Sequence, residues 1–177
     1  MLSVVSCRLS VVGFIAFAFA VVPSAEAATT KYWITRAVTC HSWTETGSQA
    51  SLNTNKDALK ARGDGWTVGY CDVKLPDDAT IRWGRAYGAD GNALQAISFA
   101  LRKALYCSED YSDIATWTST DNGEDPSCTT AGWTNANQLN DAVSNSTYTY
   151  WFYFSIPYSL DPDNLRLWNL EIEYQVP

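Results

Sequence analysis

His41 is the chain's single histidine, so any serine- or cysteine-based nucleophilic mechanism would have to run through it. It follows Cys40, which is expected in a disulfide and so is no nucleophile. Neither G-x-S-x-G nor H-E-x-x-H occurs. Glycoside hydrolysis needs two carboxyl groups facing each other across a cleft. Asp72, Glu171 and Glu173 fall on expected strands, but Glu171 and Glu173 share the outward face of the last one. Solvated surface charge is the plainer reading, and the chain reads as a non-enzyme.

Metal chemistry has one candidate place. Asp121, Glu124 and Asp125, with Asn122 between them, offer hard oxygen ligands in one loop, and Asp161 and Asp163 lie in another. Calcium takes six to eight oxygens, and the run lacks the twelve-residue EF-hand pattern. An acidic loop is preferred and no resident cofactor is expected, with calcium as the one alternative. Zinc is disfavoured because there is no C-x-x-C and only one histidine.

Binding is the stronger case. The chain has 8 tryptophans and 10 tyrosines. Trp83, Tyr148, Tyr150, Trp168 and Tyr174 are expected in the core. Trp151 and Tyr153 alternate with that set, Trp117 is opposite in parity to Ile114, and Trp133 stands alone in a polar stretch. These four are the candidate ligand contacts, because rings left in water mark interaction sites and flat rings suit stacking on sugars. The competing reading is that a loop or the N-terminal segment covers that face. Arg62-Gly63-Asp64 matches an integrin-recognition tripeptide, short enough to recur by chance, and Asn145-Ser146-Thr147 a glycosylation sequon that matters only in a host that glycosylates.

The elements that would position these residues are strands. From Ser146 to Ile156, Tyr148, Tyr150, Phe152, Phe154 and Ile156 share one face. From Leu165 to Val176, Trp168, Leu170, Ile172, Tyr174 and Val176 do. Strand side chains alternate with period two, so each run offers an apolar face that another sheet must cover. The two read as a pair joined by the turn residues 157–164. Upstream, strands are expected over 31–43, 66–75, 79–88, 93–106 and 111–118, with an edge strand in 129–144. Pro76-Asp77-Asp78 and Ala89-Asp90-Gly91-Asn92 read as hairpin turns. Residues 93–106 also carry a helical stripe, but their setting among strands favours a strand. Seven or eight strands in one domain suit an all-β, two-sheet antiparallel sandwich, jelly-roll-like.

The first 27 of the 177 residues read as a secretory signal peptide: Arg8, an apolar run from Val11 to Val22, and a small-x-small site ending at Ala27. Residues 28–177 would be the domain, in a secreted or periplasmic location. Removing Arg8 and Glu26 with the leader leaves the net charge at −7. An acidic surface argues against nucleic acid and anionic membranes as partners. Of the five cysteines, Cys7 leaves with the leader. The other four predict two disulfides. Cys40–Cys71 and Cys107–Cys128 are favoured: the first pair shares parity with core positions, and the second brackets the acidic loop.

The order of elements resembles a loose group of uncharacterised bacterial secreted proteins. The similarity runs over roughly residues 66–177, through Leu75-Pro76-Asp77-Asp78-Ala79-Thr80-Ile81 and the ending Leu165-Arg166-Leu167 to Ile172-Glu173-Tyr174-Gln175-Val176-Pro177. The group shares an "LPDGATI" turn and a final strand like "LRLYGVRIEYTVP". Asp78 stands where the group usually has glycine. The resemblance implies a β-sandwich and carries no catalytic or ligand residues with it.

These observations converge on a secreted, non-catalytic binding module, expected to bind carbohydrate, acting through Trp151, Tyr153, Trp117 and Trp133. The alternative is an extracellular structural subunit that self-associates through the same face or by edge-strand pairing.

Overall fold

A computed structural model describes residues 27–44, 52–53, 58–60, 65–92, 94–120, 132–158 and 165–177. The candidate calcium ligands Asp121, Glu124 and Asp125, the cysteine Cys128 and the Arg62-Gly63-Asp64 tripeptide lie outside the described residues. So do Asp161 and Asp163.

The chain is all-β. Seven strands are long: β1 (Thr29–Arg36), β5 (Thr67–Val73), β6 (Thr80–Asp90), β7 (Ser98–Leu105), β8 (Tyr111–Thr118), β11 (Tyr148–Ile156) and β12 (Leu165–Val176). Five are of two to four residues: β2 (His41–Thr44), β3 (Leu52–Asn53), β4 (Ala58–Lys60), β9 (Gly132–Thr134) and β10 (Asp141–Ala142). They form two antiparallel sheets. One has five strands in the order β2-β5-β11-β7-β8. The other has seven, in the order β10-β6-β12-β4-β3, with β1 also on β12 and β9 on β6. No helix among the described residues is long and apolar enough to cross a membrane.

The sheets stack face to face. Phe99, Leu101, Phe152, Phe154 and Ile156 come from the five-stranded sheet. Ile81, Ala86, Leu165, Leu167, Leu170 and Ile172 come from the other, and all are buried in one cluster. Each of these side chains other than Ala86 contributes roughly 1.5–3 kcal/mol over its exposed state. The alternation expected of residues 148–156 holds, and the ambiguous segment is a strand from Ser98.

The strand partners differ from expectation. β11 and β12 are not a pair: β11 lies between β5 and β7, β12 between β6 and β1, and the two belong to opposite sheets. Likewise β5, β6 and β7 do not form successive hairpins, because β6 sits in the seven-stranded sheet and the other two do not. The turns at 76–79 and 89–92 therefore arch between layers. Proline and glycine reverse the chain equally well across a sandwich as within a sheet, so turn chemistry does not discriminate. Asp78 sits at φ 63°, the left-handed region that favours glycine. Asn145 braces the same turn: its N–H donates to Asp77 Oδ1 at 2.6 Å and its Nδ2 to the Leu75 carbonyl at 2.8 Å. The sequon's acceptor nitrogen is thus committed to the fold.

Cys40 and Cys71 are disulfide-bonded, as expected, with Cα atoms 4.7 Å apart. They extend the β2–β5 ladder by one position beyond His41 and Tyr70. Closing a loop of 31 residues contributes about 3.5 kcal/mol in the chain-entropy account. Cys107 is exposed, in a turn at φ 63°.

Three bulges reset the parity that sequence alternation assumes. Leu101 faces Ala115 but Arg102 faces Asp113, so Ile114 is an extra residue in β8. Parity inverts there, and Trp117 turns inward although Ile114 also packs on the core. In β12, Trp168 is the extra residue between Leu167 and Asn169. It leaves the main core and packs with Ala58 and Ala89. In β6, Arg82 is extra, which puts Ile81 inside and Trp83, Arg85 and Tyr87 outside.

Candidate functional site

Two of the four aromatic residues singled out from sequence are largely buried, although Trp117 also lines a depression described below. Trp117 is 9% exposed and Trp133 5%. Their rings stack on either side of Phe99, at 5.7 and 5.9 Å between centroids, and Phe152 meets Trp117 edge-on at 5.2 Å. Space for two indoles between the sheets comes from β6, whose inward positions are Gly84, Ala86 and Gly88. A side chain at Gly84 would meet Trp117, and one at Gly88 would meet Trp133. Trp133 looked solitary because its element is three residues long. Asn135 holds it in place, its Oδ1 accepting from the Gly84 N–H at 2.7 Å. The small-x-small-x-small run at 84–88 is the signal in the sequence for buried indoles.

Trp151 and Tyr153 do stand on the outer face of the five-stranded sheet, half-exposed, and the structure brings partners to them. Tyr111 of β8 meets Trp151 edge-on at 5.9 Å. Arg102 of β7 lies between rings, its Cζ 4.3 Å from the Tyr111 centroid and 4.2 Å from that of Tyr153. Its Nε donates to Asp113 Oδ1 at 2.8 Å. Tyr70 of β5 is directly opposite Tyr153, and His41 of β2 lies 5.1 Å from the Tyr70 ring. A continuous row of rings and one guanidinium thus crosses all five strands. Arg102, Tyr70 and Tyr111 were not singled out from sequence. Arg102 could have been, since it alternates with Leu101, whereas the β8 bulge hides Tyr111.

Two depressions open on the same sheet, one of them at Arg102 and Tyr153 of the row. One of about 280 Å³ is lined by Ser98, Ala100, Arg102, Thr116, Thr118 and Tyr153. One of about 510 Å³ includes Asp72, Lys74, Tyr106, Tyr148 and Thr149. Beneath the second, Lys103 Nζ pairs with Asp141 Oδ2 at 2.6 Å, joining the two sheets, and lies 5.1 Å from the Tyr148 ring centroid.

The outer face of the seven-stranded sheet carries the acids considered for hydrolysis. Glu171 and Glu173 both pair with Arg85, each at 2.6 Å, and Tyr87 Oη donates to Glu171 at 3.2 Å. Glu171 is buried, not solvated. Burial alone would lower the Arg85 pKa, but its hydrogen bonds to the two glutamates outweigh that and raise it. Both carboxylates are thus engaged by one arginine. Elsewhere Ser119 Oγ donates to buried Asp90 and accepts from the Ile97 N–H, closing the β6–β7 crossover.

Burial raises the Tyr87 pKa above its usual 10.0, with the Glu171 charge adding to it. Burial also raises Tyr150, against the Ser144 N–H it accepts from. The sign follows from linkage. Above about pH 10 the unfolded chain loses these protons while the folded one keeps them, so stability is full below pH 10 and falls as pH rises through the folded values. Urea midpoints from pH 8 to 11.5 should show this decline. Tyr87→Phe should flatten it, and an equal slope in wild type and variant would refute the assignment.

No family model matches the chain, and no curated protein matches it in sequence. Among solved structures, one of the infectious bursal disease virus Gx strain is similar at 10% identity and a TM-score of 0.27, over 93% of this chain and 38% of that one. A crystal structure of the infectious bursal disease virus VP2 subviral particle follows at 10% identity and a TM-score of 0.18, over 94% and 42%. The chain spans about two fifths of the length of either. Likenesses of this size carry no functional information.

Proposed function

We propose that this is an exported, non-catalytic module that binds carbohydrate on the outer face of its five-stranded sheet. The observation that carries the reading is the row Tyr111, Trp151, Arg102, Tyr153 and Tyr70, which crosses the sheet beside a depression at Arg102 and Tyr153. Rings held on strands offer apolar contact area with little conformational entropy to lose. The leader-like N-terminus and the Cys40–Cys71 disulfide support export. The commitment of both outward glutamates to Arg85 supports a non-catalytic role.

A glycan array followed by calorimetry tests it. A saccharide should bind and shift the tryptophan fluorescence. Trp151→Ala and Tyr153→Ala should each weaken binding about tenfold, with the fold retained by circular dichroism. A protein that binds no saccharide tighter than about 1 mM would end the reading.

A different observation favours assembly as the second reading. β1 pairs only with β12 among the described residues and leaves its other edge open, with Ile34 61% and Tyr32 53% exposed. Two copies meeting antiparallel about Trp33 would place each Tyr32 opposite the partner copy's Ile34. Sedimentation should then show dimers that Ile34→Lys dissolves; a monomer at high concentration rejects it.

A further inference from the structure

We infer that the ligand of the ring-lined face is an acidic saccharide, a uronic acid unit whose carboxylate is received by Arg102. This rests on the carbohydrate reading above and adds the chemical class. The guanidinium is held unusually well for a group on an outer sheet face. Tyr111 and Tyr153 cover it at 4.3 and 4.2 Å, and Nε is bound to Asp113 at 2.8 Å. Its plane and direction are therefore set before any ligand arrives. No described residue accepts a hydrogen bond from its two terminal nitrogens, and the side chain keeps 18% of its surface. A planar fork with both ends free matches a carboxylate bidentately, and a clamped one loses little entropy in doing so.

The surroundings fit a sugar acid better than an apolar anion. Ser98, Thr116 and Thr118 line the same 280 Å³ depression as Arg102, and each is exposed. Hydroxyls that both donate and accept suit a polyhydroxylated ring. The row also has a direction. Trp151 lies in register between Arg102 on β7 and Asp72 on β5. A ring on Trp151 would turn its acid toward β7, because Asp72 repels it from the other side. Asp113 balances Arg102 in the empty site, and the chain's net charge is −7. Both features suit one carboxylate at one fork, not a dense polyanion drawn to a basic surface.

The test uses the mature protein and three probes: trigalacturonate, its methyl ester and neutral galactotriose. Calorimetry should find the free acid bound at least tenfold more tightly than the other two. Arg102→Lys, which keeps the charge and loses the fork, should bring the acid down to the level of the ester, with the fold retained by circular dichroism. Trp151→Ala should weaken all three by similar factors. Equal binding of acid and ester, or an acid preference that survives Arg102→Lys, overturns the inference and leaves the carbohydrate reading standing. Silence from all three probes while other saccharides bind on an array overturns it as well. Silence across the whole array ends both.

Discussion

Gly88→Ala should lower the urea midpoint more steeply than any other single-methyl addition in the chain's core. Gly88 is an inward position of β6, opposite Leu167 of β12. A Cβ there would run into the backbone carbonyl oxygen of Arg166 and lie 2.9 Å from two carbons of the Trp133 ring. The indole cannot yield, because it stacks on Phe99 and its N–H is tied to the Thr120 carbonyl at 3.2 Å. The carbonyl cannot yield without parting β6 from β12, which pair along most of their lengths. Overpacking costs about 1–3 kcal/mol where side chains can adjust, and here a backbone must. More than about 3 kcal/mol is expected, a large share of the 5–15 kcal/mol that holds a domain together. Gly84→Ala is the comparison: its Cβ would meet only the Trp117 ring, at 2.6 Å, so it should cost less. A Gly88→Ala protein with a urea midpoint near wild type would show that the sheet pairing is misplaced here.

Phe152→Ala should cost about 3–5 kcal/mol, while Trp151→Ala next to it costs under about 1 kcal/mol. Phe152 is fully buried at the centre of the sandwich, edge-on to Phe99 at 6.4 Å and to Trp117 at 5.2 Å. Truncating it opens a cavity walled by rings that pack against one another and so cannot collapse inward. Trp151 faces solvent from the same strand and touches only Tyr111 among described aromatic neighbours. The contrast between adjacent residues is the signature of a strand with one face inside. Urea unfolding of the two variants measures it, and equal losses would mean that β11 is covered on both faces.

The fold class was legible because alternation over β11 and β12 is a local property of each strand, and both need a partner layer. The Cys40–Cys71 bond was legible because Cys71 shares the inward face of Val73 and Leu75. Which strands neighbour which was not. That choice depends on whether a turn folds back within a sheet or arches across the core, and the same prolines and glycines serve both. Single-residue bulges defeated parity at Trp117 and Trp83, since one inserted residue sends every later side chain to the opposite face. Of the binding face, Trp151 and Tyr153 were readable from β11 alone. Their company was not, because Arg102, Tyr111 and Tyr70 reach them from strands far apart in the chain.

The pairing of β1 with β12 ties residue 29 to residue 176. A chain emerging from a ribosome or a translocation pore has already exposed its first strand, yet must hold it idle until the last one is out. A shorter delay applies to β5, which waits for β11 on its other side. Loop closure must be met before these distant pairings return anything, so refolding should occupy milliseconds to seconds, and the waiting edges are open to other chains meanwhile. Whatever cell makes this protein would gain from keeping the emerging chain unfolded, or attended, until its final residues are free.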